Sequence, residues 1–211
     1  MLSNIPTLYE DDWMIVVDKP PGLLTVPAPG KKLRTLTEIL NEDLEKRGVV
    51  YRLHPCHRLD KETSGLIMYA KGKSSQEKLM LLFKNRKISK IYTAFVQGRI
   101  EEDKGIIEKT IEGQSASTRF KVLQRRREFC VVELSPETGR TNQIRIHFKA
   151  IGHPLVGESK FAFRKDFLLR AKRVCLHAKY LEFKHPQTGH IVAIKSPLAR
   201  DMQKFLEDHQ S

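Results

Sequence analysis

The sequence lacks several features that define whole classes of protein. Its three cysteines, Cys56, Cys130 and Cys175, are odd in number, and no two have Cys-x-x-Cys spacing. This pattern favours reduced, mostly buried thiols over a disulfide framework or a zinc ribbon. No apolar run approaches the roughly 18 residues of a membrane span, and the N-terminus has no signal-peptide pattern. We therefore expect a cytoplasmic protein with no membrane partner.

Nucleotide-binding signatures are also missing. The chain contains neither Gly-x-x-x-x-Gly-Lys-Ser/Thr nor Gly-x-Gly-x-x-Gly, the strings that cradle phosphates or dinucleotides. Zinc sites need three or four convergent ligands, and the run from His54 to His57, which we expect in an irregular loop, lacks a second matched cluster. The other histidines weighed as ligands are His147, His153 and His177. The sequence therefore predicts no cofactor and no metal.

Acidic residues are scarce relative to basic ones. The 211 residues include 38 Lys and Arg against 25 Asp and Glu, a formal net charge of +13. This excess favours a polyanionic partner, of which nucleic acid is the commonest. Basic residues are densest over 84–90, 125–127 and 164–173. A solvated face explains any one cluster taken singly, whereas several clusters on one face would form a binding groove.

Capping signals predict the first two helices. Thr35-Leu36-Thr37-Glu38 is a capping box, apolar residues follow it at helical spacing, and Gly48 lies where a C-terminal glycine cap would fall. Ser74-Ser75-Gln76-Glu77 is a second capping box, and Leu79, Leu82 and Phe83 continue that helix. We expect each helix to begin at its box.

The segment 141–151 fits either an alternating strand or a helix. A helix is the preferred interpretation, because a cap at Thr141 or Asn142 agrees with a stop at Gly152. A further helix is expected over 197–208.

Several strands are expected between these helices, and we place them at 13–17, 66–70, 91–97, 105–112, 117–124, 129–134, 175–183 and 190–195. In the strand 91–97, alternation puts Tyr92, Ala94 and Val96 on one face. Helices and strands are interspersed without regular βαβ alternation. This order predicts an α+β fold, with a mostly antiparallel sheet and flanking helices. No linker is visible, so we expect one domain over residues 1–211.

One loop carries a distinctive string, His57-Arg58-Leu59-Asp60-Lys61-Glu62-Thr63-Ser64-Gly65. An aspartate in a loop is, on its own, typical of a turn. The whole string, however, resembles the signature of the RluA-type family of pseudouridine synthases, in which the Asp of His-Arg-Leu-Asp is the catalytic residue. The resemblance implies the pseudouridine synthase fold with a catalytic cleft. It also implies that Asp60 acts as a nucleophile or as a base toward the ribose.

Further motifs of that family occur in the same order. They are Lys19-Pro20-Pro21-Gly22-Leu23, Lys90-Ile91-Tyr92-Thr93-Ala94, Thr138-Gly139-Arg140-Thr141-Asn142-Gln143-Ile144-Arg145-Ile146-His147, Gly152-His153-Pro154-Leu155-Val156-Gly157 and Leu176-His177-Ala178. The resemblance covers roughly residues 8 to 200. One departure is Asn142, which stands where the family usually has His. Because the resemblance begins so early, we expect no separate N-terminal RNA-binding domain.

The resemblance assigns roles to the remaining site residues. It implies that Arg145 is the cation that favours ionised Asp60. It makes Tyr92 the candidate to stack on the target base, with a phenol that could join proton transfer. Arg58 has a flat cationic group suited to stacking or to holding phosphate. The other candidates for contact with RNA are His57, Lys90, Arg140 and Lys19.

The isomerisation of uridine is consistent with the absence of cofactor-binding and nucleotide-binding motifs. Converting uridine to pseudouridine breaks a bond between base nitrogen and sugar carbon, rotates the base and forms a carbon–carbon bond. The reaction has no net redox change and no phosphate transfer. We therefore predict a monomeric isomerase that flips uridines out of structured RNA, either ribosomal or transfer RNA. The alternative is a non-catalytic RNA-binding or RNA-folding protein on the same fold, and the presence of Asp60, Tyr92 and Arg145 favours the enzyme.

Overall fold

The structure, a computed structural model, describes residues 5–27, 30, 33–162 and 169–209. In chain order its elements are β1 (Thr7–Glu10), β2 (Met14–Lys19), α1 (Leu36–Lys46), β3 (Leu53–Pro55), β4 (Ser64–Lys71), α2 (Lys73–Lys84), β5 (Ile88–Gln97), β6 (Lys104–Glu108), β7 (Ser117–Arg125), β8 (Phe129–Pro136), α3 (Gln143–Ala150), β9 (Leu176–Lys184), β10 (Ile191–Lys195) and α4 (Arg200–Asp208). Across these described ranges, every helix is too short or too polar to cross a bilayer.

The chain divides into two compact units. The first comprises Met1–Ser89 and Ala178–Pro197, and the second comprises Lys90–His177 and Leu198–Ser211. Both contain antiparallel strand pairs with helices packed on them, so the predicted α+β class is confirmed. That residues 1–211 act as one catalytic domain stays a prediction.

The first unit is built on the strand order β1-β2-β4-β9, with β3 beside β4 and β10 beside β9. Strands β1, β3 and β10 each pair antiparallel with their neighbour, as β2 does with β4. Its core includes Met14 of β2, Leu66 of β4 and Leu79 of α2. The predicted irregular loop from His54 is wrong in part, because Leu53–Pro55 pairs with β4.

The helices of the first unit begin differently from each other. Thr35 caps α1 with the predicted reciprocal bonds, from Glu38 N to Thr35 Oγ1 at 3.3 Å and from Thr35 N to Glu38 Oε2 at 2.7 Å. The second predicted capping box is wrong, since α2 begins at Lys73 with Gly72 as its N-cap and no side-chain cap bond. Strand β4 leads into α2 through Gly72, whose φ of 87° supplies the sharp turn, so Ser74 already lies inside the helix.

The second unit has the strand order β5-β8-β7-β6, in which every neighbouring pair is antiparallel. Ala94 and Val96 of β5 and Phe148 of α3 lie in its core. The segment 141–151 is the predicted helix, observed as α3. Helix α4 adds Phe205, whose ring lies 5.7 Å from that of Phe95 on β5. These contacts fix α3, which carries Arg145, and β5, which carries Lys90 and Tyr92.

Candidate active site

The backbone before Asp60 is held by a buried threonine. The Thr25 hydroxyl donates to the carbonyl of Leu59 at 3.0 Å and accepts from the Leu59 N–H at 3.2 Å. Only 2% of Thr25 is exposed. A single hydroxyl thus satisfies both backbone groups of the residue that precedes the candidate carboxylate.

The backbone after Asp60 is held by the Lys19-Pro20-Pro21-Gly22 turn. The carbonyl of Lys61 accepts from Gly22 N–H at 2.8 Å and from Lys19 Nζ at 3.1 Å. Gly22 has φ of +85°, a conformation that glycine adopts without the steric cost of a Cβ. The two sequence motifs therefore form one hydrogen-bonded assembly around Asp60, which is half-buried.

Lys19 differs from the other predicted RNA contacts. Its side chain is fully buried, and Nζ also donates to the carbonyls of Pro20 at 2.9 Å and Leu23 at 2.7 Å. A buried ammonium requires such partners, because an unpaired charge in the interior is strongly unfavourable. A phosphate-binding lysine needs an accessible ammonium, so the observed position suits support of the Asp60 loop instead.

His57 and Arg58 lie on the same loop as Asp60. His57 is partly exposed, and its Nε2 accepts from the Met68 N–H at 3.0 Å. That bond leaves the proton of the neutral ring on Nδ1. The imidazole also packs against Phe83 of α2, with 4.7 Å between ring centroids and 31° between planes. Arg58 itself is exposed to solvent.

Tyr92 and Lys90 both lie on β5 in the second unit. Tyr92 is half-buried and packs against the core beside Ala94 and Val96, as the alternation predicts. Lys90 is also half-buried, and burial lowers the pKa of its ammonium from the ordinary lysine value. Tyr92 thus presents an apolar body on a rigid strand, which is a suitable platform for stacking.

Arg145 is a buried arginine on α3, with 7% of its surface exposed. Its Nε donates to Glu158 Oε2 and its Nη2 to Glu158 Oε1, both at 2.7 Å. The Nη1 group donates to Asn142 Oδ1 at 3.2 Å. Asn142 is the N-cap residue of α3, as predicted, but its side chain makes no cap bond and instead helps to orient Arg145.

Glu158 is fully buried, and its ionisation depends on its partners. Burial raises the pKa of this carboxyl, but hydrogen bonds from Arg145 and from the backbone N–H groups of Lys160 and Phe161 outweigh burial and leave the pKa below its usual value. Our sequence reasoning missed Glu158. The only signal was an acid directly after the Gly152–Gly157 motif.

Gln143 organises the turn that holds Arg140. Its Oε1 accepts from Thr138 Oγ1 at 2.6 Å and from Arg140 N–H at 3.0 Å. Its Nε2 donates to Ser117 O and Thr118 Oγ1, both at 2.9 Å. This buried amide is therefore satisfied on both sides. Arg140 is partly exposed, with Nε 3.4 Å from the carbonyl of Ser115.

The candidate residues thus fall into two groups. The first unit brings together Lys19, His57, Arg58 and Asp60, and the second unit carries Lys90, Tyr92, Arg140 and Arg145. The ion pair between Asp60 and Arg145 stays a prediction. Within the part of the chain that the structure describes, no group of three or more His, Cys, Asp or Glu side chains is arranged to hold a metal ion.

Known proteins resemble this chain over most of its length. A family model described as RNA pseudouridylate synthase matches residues 13–150. The uncharacterized RNA pseudouridine synthase YlyB of Bacillus subtilis is 40% identical, over 97% of this chain and 73% of that protein. The dual-specificity RNA pseudouridine synthase RluA of Pasteurella multocida is 35% identical, over 91% of this chain and 92% of that protein.

A solved structure has the same fold. Human RNA pseudouridylate synthase domain containing 4 superposes with a TM-score of 0.82 at 22% identity, over 97% of this chain and 92% of that one. The predicted pseudouridine synthase fold is thereby confirmed. The segment matched by the family model contains Asp60, Tyr92 and Arg145. The chain therefore belongs to the RluA-type family of RNA pseudouridine synthases, isomerases that act on RNA.

Proposed function

We propose that this chain isomerises specific uridines in structured RNA, with Asp60 as the catalytic carboxylate. The observation that carries the assignment is the double anchoring of the Asp60 loop, by Thr25 on one side and by Lys19 and Gly22 on the other. A carboxylate that must meet one sugar carbon needs such fixed geometry, because small misplacements strongly reduce rate. An ordinary surface turn has no need of it.

The reaction requires one bond to break and another to form at the same sugar carbon. The bond from N1 of the base to C1′ of the ribose breaks, the base rotates, and C5 bonds to C1′. The proton on C5 is then lost and N1 gains one, so atoms and charge balance. Asp60 serves either by attacking the sugar or by removing a proton from it.

Arg145 is the proposed counter-charge for ionised Asp60. Its own position is supported by Glu158, which forms two parallel charge-assisted hydrogen bonds with the guanidinium. This assignment makes Glu158 a positioning residue, acting through Arg145.

The target uridine must leave its stack before Asp60 can reach the ribose. We assign stacking on the flipped base to Tyr92, and we propose that its phenol also takes part in proton transfer. Flipping costs a few kcal/mol, which contacts to the RNA must offset. His57, Arg58, Lys90 and Arg140 are the proposed RNA contacts. Lys19 is reassigned to support of the Asp60 loop.

The proposed substrates are stem-loops of ribosomal or transfer RNA. Two observations support this choice: the relative from Pasteurella multocida is described as dual-specificity, and the formal net charge here is +13. RNA recognition of this kind reads loop shape and splayed bases. We propose that the protein works as a monomer in the cytoplasm, and that residues 1–211 form its catalytic domain.

The decisive experiment compares wild type with Asp60→Asn on RNA from cells that lack the protein. Nucleoside mass spectrometry should detect new pseudouridine with wild type and none with the variant, while both bind the RNA equally. A variant as active as wild type would remove Asp60 from the mechanism. Binding without product from either protein would support the RNA-folding alternative.

A further inference from the structure

Helices α1 and α3 end with the same turn, in which the two residues after the C-cap donate their N–H groups back to the last helical turn. The bonds are Gly48 N to Glu45 O at 3.0 Å, Val49 N to Leu44 O at 3.0 Å, Gly152 N to Lys149 O at 3.2 Å and His153 N to Phe148 O at 2.9 Å. The first residue of each turn is left-handed, with φ of 71° at Gly48 and 84° at Gly152.

Helix α2 ends with this same turn but without glycine. Arg86 occupies the left-handed position, with φ of 55°. Its N–H donates to Phe83 O at 3.1 Å, and the N–H of Lys87 donates to Leu82 O at 2.8 Å. A residue with a Cβ is unfavourable in this conformation, which is why glycine is usual there. The chain thus tolerates strain at α2 that it avoids at α1 and α3, which points to a use for the side chain.

The α2 turn, defined as residues 84–87, contacts the Asp60 loop through Phe83, the residue just before the turn. Phe83 accepts the backbone hydrogen bond of Arg86 and packs its ring on His57. His57 is two residues before Leu59, which is fixed by Thr25. One aromatic contact therefore joins the strained turn to the loop of Arg58 and Asp60.

The cations of the α2 turn are available to an anion. Lys84, Arg86 and Lys87 are all exposed, and none makes an ion pair with another described residue. The basic cluster 125–127 differs, because Arg125 is held by Asp103 at 2.7 Å and by the carbonyls of Ile100 and Glu101. Half of the cluster 164–173 lies outside the described residues; of its described cations, Arg170 and Lys172 are exposed, whereas Arg173 is buried and paired with Asp201 at 2.6 Å.

Stabilisation of the helix dipole explains only one of the cations in this turn. A cation in the last turn of a helix stabilises the helix dipole, which accounts for Lys84 as it does for Lys46 at the same position of α1. It does not account for Arg86, because glycine at that position would remove the strain.

We propose that the α2 turn binds the sugar–phosphate backbone of the substrate RNA beside the flipped uridine, with Arg86 as its principal contact. The planar guanidinium can donate two parallel hydrogen bonds to one phosphate. Lys84 and Lys87 add sequence-independent attraction. This inference rests on the proposed function insofar as the RNA bound is the substrate.

The test uses Arg86→Gly, for which the proposal predicts higher thermal stability but weaker RNA binding. The melting temperature should rise by a few degrees, because glycine relieves the left-handed strain. RNA affinity should fall by about three- to tenfold, and the salt slope of binding should fall by about one. Arg86→Lys should keep the wild-type salt slope but only part of the affinity, because an ammonium cannot form the two parallel hydrogen bonds. In a matched pair, Lys84→Gln should weaken binding and Lys46→Gln should leave it unchanged.

Three outcomes would overturn the proposal. A raised melting temperature with unchanged affinity and salt slope would show that Arg86 contacts no phosphate. A lowered melting temperature with unchanged affinity would make Arg86 a purely structural residue. Equal effects of Lys84→Gln and Lys46→Gln on RNA affinity would show that the α2 turn contributes only to the overall positive charge and is not a binding site. Pseudouridine formation by wild type is measured on the same RNA, so that Arg86-dependent binding without product would contradict the proposed function and leave this site intact.

Discussion

Arg145 and Glu158 form a bidentate ion pair inside the second unit, with both N···O distances at 2.7 Å. The carboxylate is fully buried and the guanidinium nearly so. The pair explains how a helix of eight residues can carry a buried cation. The energetic consequence is that neither partner can be removed alone without leaving an uncompensated charge.

Removal of the Glu158 carboxylate is therefore expected to be costly. Glu158→Ala should lower the free energy of unfolding by about 3–5 kcal/mol, the range for breaking a buried pair. Urea denaturation at pH 7 measures the loss. The control is Glu101→Gln, which disrupts the exposed pair with Arg99 and should change stability by less than about 1 kcal/mol. Equal losses from both variants would contradict the argument.

The stability conferred by Glu158 should depend on pH in the acid range. Its pKa is lower in the folded protein, because bonds from Arg145 and two backbone N–H groups outweigh burial. The contribution is thus present above the unfolded value of about 4.3 and is lost as pH falls through the lower folded value. The stability difference between wild type and Glu158→Gln should be constant from pH 7 to about 5.5 and shrink below about pH 4. A difference that grows on acidification would reverse the assigned direction.

Lys19→Met should separate support of the loop from RNA contact. Loss of the ammonium leaves the carbonyls of Pro20, Leu23 and Lys61 without this donor, at about 1–3 kcal/mol for each group left unsatisfied. We expect kcat to fall at least tenfold with nearly unchanged RNA affinity. Single-turnover kinetics and filter binding measure the two quantities.

Lys61→Met is the matched control for Lys19→Met, since the Lys61 side chain is exposed on the same loop. It should leave kcat close to wild type. If Lys19→Met instead weakens RNA binding and reduces its salt slope, then Lys19 contacts the RNA directly, as the sequence predicts.

Gly65→Ala should destabilise the first unit. Gly65 has φ of +107°, and an added Cβ would lie 2.2 Å from the carbonyl oxygen of Ala178. Gly48→Ala is the control, because Gly48 is also left-handed but has open space around a Cβ. We expect a loss of about 1 kcal/mol at Gly48 from backbone strain and several-fold more at Gly65, measured by thermal unfolding. Equal losses would exclude the steric contact as the cause.

The sequence predicted features that depend on near neighbours. The Thr35 cap of α1 is local, since its bonds span three residues, and Tyr92 faces the core because strand alternation is local too. The Ser74 box failed because a serine–glutamate spacing cannot reveal that β4 passes into α2 through Gly72. Two local patterns, the Ser74 box and the Gly72 turn, each offered a start for α2, and the packing of β4 and α2 determined which one forms the N-cap.

The supports of the candidate site could not be predicted in this way. Thr25 is 34 residues from Leu59, Lys19 is 42 from Lys61, and Arg145 is 13 from Glu158. Each of these contacts depends on how separate segments pack, which a single sequence does not encode in any short pattern. The family motifs marked Asp60, Arg145 and Lys19, but the supporting contacts of Lys19 and the residues Thr25 and Glu158 emerged only from the fold.

Lys19 is the last residue of β2, where it pairs with Gly65 of β4. Side chains alternate between the two faces of a strand, so a slip of one residue would turn the ammonium toward the opposite face. The carbonyls around Asp60 would then lose their common donor. We therefore expect turnover to require the correct register between β2 and β4, and folding products with a shifted register to be inactive.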